Sequence, residues 1–168
     1  GSATLYKSEF KADKTSDYIA SAWDNRFIIN LSAVYDLPRF WSIGAKVSAI
    51  GGAPYTPYDQ ETSSLKTVWD AAGRPVYDYA KYNSGRLKPY YQIDLRVDKD
   101  FYFKKWTLSL YADLENVTFS RIRQPDALLS TGIIEDTSLD GIYQKYRMEL
   151  LELWSGTLVP AVGVCVEF

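Results

Sequence analysis

The chain has 168 residues, a length typical of one domain, and its 19 basic and 21 acidic side chains give a net charge of −2. This balance excludes the broad basic surface by which proteins bind nucleic acid. The absence of histidine excludes His-based catalytic triads and the common zinc sites. No run of about 18 apolar residues occurs, which excludes a transmembrane helix. Aromatic residues make up 15% of the chain, a content that suits the interfacial girdles of membrane barrels.

Alternation of apolar and polar residues predicts the strands. Between Phe27 and Leu37, for example, every second residue is apolar, and Asn30, Ser32 and Asp36 lie between them. The same period of two predicts six strands, near residues 3–12, 26–37, 40–51, 90–103, 105–117 and 156–168. Most are about ten to fourteen residues long, which exceeds the usual strand of about five or six residues and is enough to cross a bilayer when tilted.

Two kinds of connection alternate along the chain. Pro38-Arg39 and Lys104-Lys105 predict tight turns, whereas the segments near 12–24, 52–89 and 118–145 predict long loops. Short turns on one side and long loops on the other are typical of bacterial outer-membrane barrels. The aromatic residues expected at the turn end are Tyr35, Phe40, Trp41, Phe101, Phe103, Trp106 and Phe168.

Residues 143–154 permit two interpretations. Tyr143, Tyr146 and Leu150 would share one stripe of a helix, while Tyr146, Met148 and Leu150 would share one face of a strand. We favour a strand that extends the last barrel strand above the membrane.

Three segments resemble the late barrel strands of TonB-dependent outer-membrane transporters, particularly those of Bacteroidota. They are residues 30–59, with Gly-Gly-Ala-Pro-Tyr-Thr-Pro at 51–57; residues 84–118, with Asp-Leu-Arg-Val-Asp-Lys at 94–99; and residues 158–168. The resemblance implies that Gly163, Val166 and Phe168 form the signal read by the outer-membrane barrel assembly machinery. Here Ala161 and Val162 precede Gly163, where the family usually carries a polar residue.

The resemblance implies an all-β fold: an antiparallel transmembrane β-barrel segment with long extracellular loops, about six strands of a 22-stranded barrel. The smallest barrels have about eight strands, so we expect residues 1–168 to be the C-terminal portion of a transporter in the bacterial outer membrane. Implied partners are outer-membrane lipid, the remaining barrel with its plug domain, and TonB, which would act through a region N-terminal to this chain. The implied function is import of a scarce nutrient, such as a siderophore, cobalamin, a glycan or a peptide.

Two groups of residues are candidates for function, and no catalytic, cofactor or metal site is expected. The first group shares the face expected to point to the lumen and plug; paired carboxylates there also permit a glycosidase interpretation, but an ion-paired wall is favoured. Its members are Lys46, Asp94, Arg96, Asp98, Asp113 and Glu115. The second group lies in the second long loop and suits stacking on a ligand, although the loop could instead fold on its own aromatic rings. Its members are Tyr55, Tyr58, Trp69, Tyr77, Tyr79 and Tyr82.

Two other functions remain open from the sequence. One is a small structural or porin-like outer-membrane barrel, against which the six-strand count argues. The other is a soluble β-sandwich binding module, since alternation does not show which face is covered; the length of the strands argues against it. No feature of the sequence supports an enzyme.

Overall fold

The computed structural model describes residues 1–168 and consists mainly of antiparallel strands, which confirms the predicted all-β class. Two short helices, α1 (Gln60–Ser64) and α2 (Lys66–Ala72), lie between strands, and no helix is long and apolar enough to span a bilayer. The strands are β1 (Ser2–Leu5), β2 (Glu9–Phe10), β3 (Ile19–Ala20), β4 (Phe27–Leu37), β5 (Trp41–Ile50), β6 (Pro54–Tyr55), β7 (Gly85–Arg86), β8 (Tyr90–Tyr102), β9 (Thr107–Glu115), β10 (Ile122–Arg123), β11 (Ala127–Ile134), β12 (Tyr146–Leu151), β13 (Trp154–Ser155) and β14 (Val159–Glu167).

Six of the strands form one sheet in the order β1-β4-β5-β8-β9-β14. Every neighbouring pair is antiparallel, and the strands follow one another across the sheet in chain order. Strands β1 and β14 lie at the two edges, and each pairs with a single neighbour. The sheet is therefore open, with unpaired backbone groups along both edges.

Cross-strand register gives this sheet one apolar and one polar face, because directly paired residues project to the same side. One row across five strands consists of Tyr35, Ile43, Val97, Ala112 and Val162. The next row, on the opposite face, consists of Val34, Gly44, Arg96, Asp113 and Ala161.

The apolar face has nothing packed against it. Tyr35 is 70% exposed and Val162 is 83% exposed, and the only buried hydrophobic residues are Ala49 and Leu128. Burial of apolar surface, the dominant stabilising term in soluble domains, is thus missing from this face. The sheet is held by its backbone ladders, since 58 of the 83 backbone hydrogen bonds lie within strands and helices.

Aromatic rings pack beside the tight turns. Phe103 and Trp106 stack at 4.1 Å across the Lys104-Lys105 turn, and Phe40 packs edge-on against Tyr102 at 4.9 Å. Such rings, apolar in body and polar at one tip in Tyr and Trp, suit the boundary between an apolar phase and water.

Lys99 is the cation that lies beside these rings on the apolar face. Its Nζ is 4.9 Å from the centre of the Phe101 ring, and it donates a hydrogen bond to the backbone carbonyl of Arg39. Arg39 and Phe40 both have positive φ, 65° and 62°, in the turn that joins β4 to β5. The ammonium group is therefore held at the turn while its alkyl chain covers the apolar surface.

The loop end of the sheet differs from the predictions in three places. The strand predicted near 3–12 is divided, because β2 leaves the large sheet and pairs with β3. The predicted loop 118–145 contains β11. Within 143–154 the strand interpretation is confirmed, but β12 pairs with β11 instead of extending β14. These small sheets, together with β6–β7 and β10–β13, fold the long loops onto the end of the large sheet.

Gly51 and Gly52 lie where these loops converge, and neither position has room for a side chain. A Cβ on Gly51 would lie 1.7 Å from the carbonyl oxygen of Asn25, and a Cβ on Gly52 would lie 1.7 Å from that of Leu87. Glycine permits such close approach of two backbones.

We expect Gly52→Ala to lower the free energy of unfolding by about 3 kcal/mol, the upper part of the range for overpacking, because the β6–β7 segment must shift. Gly141→Ala is the matched control, since no atom lies within 4 Å of its added Cβ; it should change stability by less than about 0.5 kcal/mol. Urea titration in detergent, followed by tryptophan fluorescence, measures both. Equal losses would contradict the close approach at Gly52.

Candidate functional site

Asp24, just before β4, is fully buried between two arginines. Its Oδ2 lies 2.8 Å from Arg26 Nε and 2.8 Å from Arg86 Nη2, and its Oδ1 accepts a hydrogen bond from the backbone amide of Ser8 at 3.0 Å. Arg86 Nη1 donates to the backbone carbonyl of Gly52 at 2.8 Å. We call Asp24, Arg26 and Arg86 the Asp24 lock, because they join segments far apart in the chain.

The charge of Asp24 is maintained by its partners. Burial alone would raise the pKa of this carboxyl, but the amide of Ser8 and the guanidinium groups of Arg86 and Arg26 outweigh burial and hold the pKa below its ordinary value. Asp24 is therefore ionised at neutral pH, and both of its oxygens are paired, as a buried charge requires.

The segment between β5 and β8 brings five of the six candidate aromatic residues together. The rings of Tyr58 and Tyr77 stack at 4.8 Å, and those of Tyr79 and Tyr82 lie nearly parallel at 6.4 Å. Two adjoining cavities of about 140 and 280 Å³ separate these rings from the β10–β11 connection. Both cavities are lined by Tyr55, Thr56, Tyr77 and Pro125. We call this pair of cavities the tyrosine cleft.

Short polar contacts fold the wall of the cleft. Asp59 caps α1 by accepting a hydrogen bond from the amide of Thr62 at 3.0 Å. The hydroxyl of Thr62 also donates to Asp59, and these bonds, the hydroxyl's first, lower the pKa of Asp59. Ser63 is fully buried, and its hydroxyl accepts from the amide of Val76 at 2.9 Å. The chain is thereby doubled back on itself, which places Tyr58 beside Tyr77.

Tyr55 is positioned by a glycine. Its ring lies against Gly85, where an added Cβ would be 2.6 Å from Tyr55 Cζ, and the two residues are paired between β6 and β7. Asn83 Nδ2 donates to the carbonyl of Ala20 at 2.8 Å and so ties this wall to β3. The cleft is thus attached to the first long loop as well.

The residues that line the cleft differ from the predicted aromatic group in two ways. Trp69 lies on α2, away from the cavities. The opposite wall comes from Pro125, Asp126 and Leu150, which the aromatic pattern did not identify. The Pro-Asp dipeptide at 125–126 was the only sequence signal there, and it indicates a turn rather than a contact.

The candidate group expected to face the lumen and plug lies on the polar face of the large sheet. Lys46 Nζ is 3.7 Å from Asp94 Oδ2, and the Arg96 guanidinium pairs with Asp98 at 2.8 Å. All members but Asp98 line a shallow cavity of about 260 Å³. Asp113 and Glu115 complete this group.

The ring of Tyr111 packs on a glycine of the polar face, Gly163, as the ring of Tyr55 packs on Gly85. An added Cβ on Gly163 would lie 2.2 Å from Tyr111 Cζ, and the Arg96 guanidinium lies 4.3 Å from the centre of the ring. Gly163 therefore has a packing role that sequence reasoning missed. Val166 and Phe168, the other residues of the expected assembly signal, are 43% and 101% exposed.

No three His, Cys, Asp or Glu side chains cluster as metal ligands would. The single cysteine, Cys165, is exposed on β14 and paired in register with Ser109. No family model, curated protein or solved structure matches this chain.

We expect Asp24→Asn to lower the free energy of unfolding at pH 7 by about 2 kcal/mol. Removing one partner of a fully buried ion pair costs about 3–5 kcal/mol, but Arg26 and Arg86 remain 49% and 32% exposed, so water compensates them in part. Urea titration of both proteins in detergent measures the difference. Asp17→Asn is the control, since Asp17 is an exposed acid of the first long loop.

The effect of Asp24→Asn should depend on pH. Because folding lowers the pKa of Asp24, its stabilisation is fully present above the ordinary carboxyl pKa and is lost as the pH falls through the lowered one. The difference between the two proteins should therefore shrink below about pH 4. A difference that stays constant down to pH 2 would contradict an ionised Asp24.

Proposed function

We propose that this chain forms part of the barrel wall and the extracellular loops of a TonB-dependent outer-membrane transporter. The observation that supports this most directly is the uncovered apolar face of a long-stranded sheet whose other face is polar. Strands β4, β5, β8, β9 and β14 have 9 to 13 residues, close to the roughly 9–11 that a tilted strand needs to cross a bilayer. The transporter family itself rests on the sequence resemblance.

The open edges of the sheet support a wall segment instead of a self-contained barrel. Strands β1 and β14 each lack a second neighbour, and closed membrane barrels have at least about eight strands. Further strands of the same transporter would pair with both edges and leave no backbone group unsatisfied in the hydrocarbon. Outer-membrane lipid would cover the apolar face.

The polar face would line the lumen and contact the plug. Asp94 is tied to Lys46 and to the backbone amide of Asn116, at 2.9 Å, whereas Asp113 and Glu115 have no ion-pair partner within the chain. Two unpaired carboxylates favour basic side chains on the plug. TonB would act on that plug, and the barrel assembly machinery would insert the wall.

The two ends of the sheet suit opposite sides of the membrane. The short turns with Phe40, Phe103 and Trp106 would lie at the periplasmic rim, and the loops with the tyrosine cleft would face the cell exterior. In this orientation the chain contributes loops that bind an imported nutrient and a wall through which the nutrient passes.

We expect the purified chain to aggregate in water and to give a β-type circular dichroism spectrum in detergent micelles. Its exposed apolar face and open edges are aggregation surfaces in water. Light scattering measures particle size with and without detergent. A folded, soluble monomer in water would refute the transporter proposal and favour a soluble binding module.

A pair of substitutions on β14 tests which face meets lipid. Val162→Arg puts a charge on the apolar face and should lower stability in lipid vesicles by about 2–4 kcal/mol. Ala161→Arg, one residue away, puts the same charge on the polar face opposite Asp113 and should cost less than about 0.5 kcal/mol. Urea titration in vesicles measures both, and equal costs would contradict a lipid-facing Val162.

A further inference from the structure

We propose that the tyrosine cleft binds a neutral oligosaccharide, with consecutive sugar rings stacked on its tyrosines. The inference rests on the proposed function, because it names the substrate class of the extracellular loops. It follows from the arrangement of the rings, from the polar groups between them and from the charge of the lining.

The rings form two stacked pairs set at an angle to each other. Tyr58 and Tyr77 are 25° from parallel, Tyr79 and Tyr82 are 17° from parallel, and Tyr77 and Tyr79 are tilted by 60°. Tyr79 is 70% exposed and Tyr77 is 44% exposed, so both present open ring surface. Each pair lines one of the adjoining cavities, and the ring faces that stacking leaves free would contact successive units of a ligand.

The chemistry of a sugar ring matches this lining. The C–H bonds on one side of a pyranose carry slight positive charge and meet the negative face of an aromatic ring, while its hydroxyl groups need hydrogen-bond partners. Gln60 supplies such a group at the wall of one cavity, whereas Thr56 and Asn83 are hydrogen-bonded to each other and Asn83 also to Ala20. A purely apolar ligand that covered Gln60 would leave its amide without a partner, at a cost.

The charge of the lining argues against an anionic ligand. Neither cavity is lined by lysine or arginine, and the single acid, Asp126, is paired with Arg123. Burial and the neighbouring Tyr77 raise the pKa of Tyr58 to about 12, so its hydroxyl remains neutral. An anionic iron chelate would find no counter-charge here, which a desolvated anion requires.

The nearest cations are already engaged. A neighbouring cavity of about 140 Å³ is lined by Arg86, Lys88 and Arg123. Arg86 is held by Asp24, and Arg123 lies 2.9 Å from Glu152 in addition to its contact with Asp126. Only Lys88 is left without a carboxylate partner, which is too little to bind a multiply charged chelate.

The test is isothermal titration of the chain in lauryldimethylamine oxide micelles, because a sugar-headed detergent would itself occupy the cleft. The probes are an array of neutral oligosaccharides with α- and β-linked hexoses and pentoses, including maltohexaose, cellohexaose, xylohexaose and mannohexaose. A ferric catecholate complex and a neutral tripeptide are the competing ligands. Circular dichroism verifies the fold of every variant.

We expect at least one neutral oligosaccharide to bind, and Tyr77→Ala and Tyr79→Ala each to weaken that binding about tenfold or more, as loss of an aromatic anchor does. Tyr79→Phe keeps the ring and should retain affinity within about threefold. Tyr143→Ala is the matched control, since Tyr143 is 63% exposed and lies outside both cavities.

Three results would overturn the inference: no oligosaccharide binds the folded chain, binding is insensitive to Tyr77→Ala and Tyr79→Ala, or the chelate or peptide binds the cleft instead. A chain that folds in micelles but binds no glycan leaves the transporter proposal intact. A chain that folds as a monomer in water refutes the transporter proposal, whatever it binds.

Discussion

The uncovered apolar face of the six-stranded sheet is the constraint on which the rest of the structure depends. Ordering each residue costs about 1–2 kcal/mol of conformational entropy, and soluble domains offset this cost mainly by burying apolar side chains. Here only Ala49 and Leu128 are buried hydrophobic residues. The apolar face, from Tyr35 to Val162, therefore stabilises the fold only when something outside the sheet covers it. The register of the strands places these side chains on one face, and it contributes to stability only when that cover is present.

In the absence of a core, buried polar side chains organise the loop end. Asp24, Ser63 and Asn116 are all buried, and each binds backbone groups of a segment that would otherwise lack partners. Asn116 is typical: its side chain accepts from the amide of Ser120 and donates to the carbonyl of Thr157. Such bonds are directional, so they specify one arrangement of the loops where apolar packing would specify many.

The large sheet was predicted well from the sequence because the alternation of apolar and polar residues lies within each strand. A period of two assigns each side chain to a face, so residues as far apart as Lys46 and Asp94 were placed on one face before any pairing was known. The loops carry no such period. Their contacts join Asn83 to Ala20 and Pro125 to the second loop, across long stretches of chain, and composition alone does not encode those pairings. Strand β11 was missed for the same reason, since its partner β12 identifies it better than its own residues do.

The Asp24 lock and the tyrosine cleft are directly connected through strands β6 and β7. Arg86 of the lock is paired with Pro54, and the adjacent Gly85 is paired with Tyr55, whose ring forms the shared wall of both cavities. Holding Arg86 through Asp24 therefore fixes the surface on which Tyr55 rests. A ligand in the cleft would meet rings whose positions are already determined, which lowers the entropy lost on binding. The same link implies that a displacement of β4, which begins shortly after Asp24, would reach the cleft through Arg86.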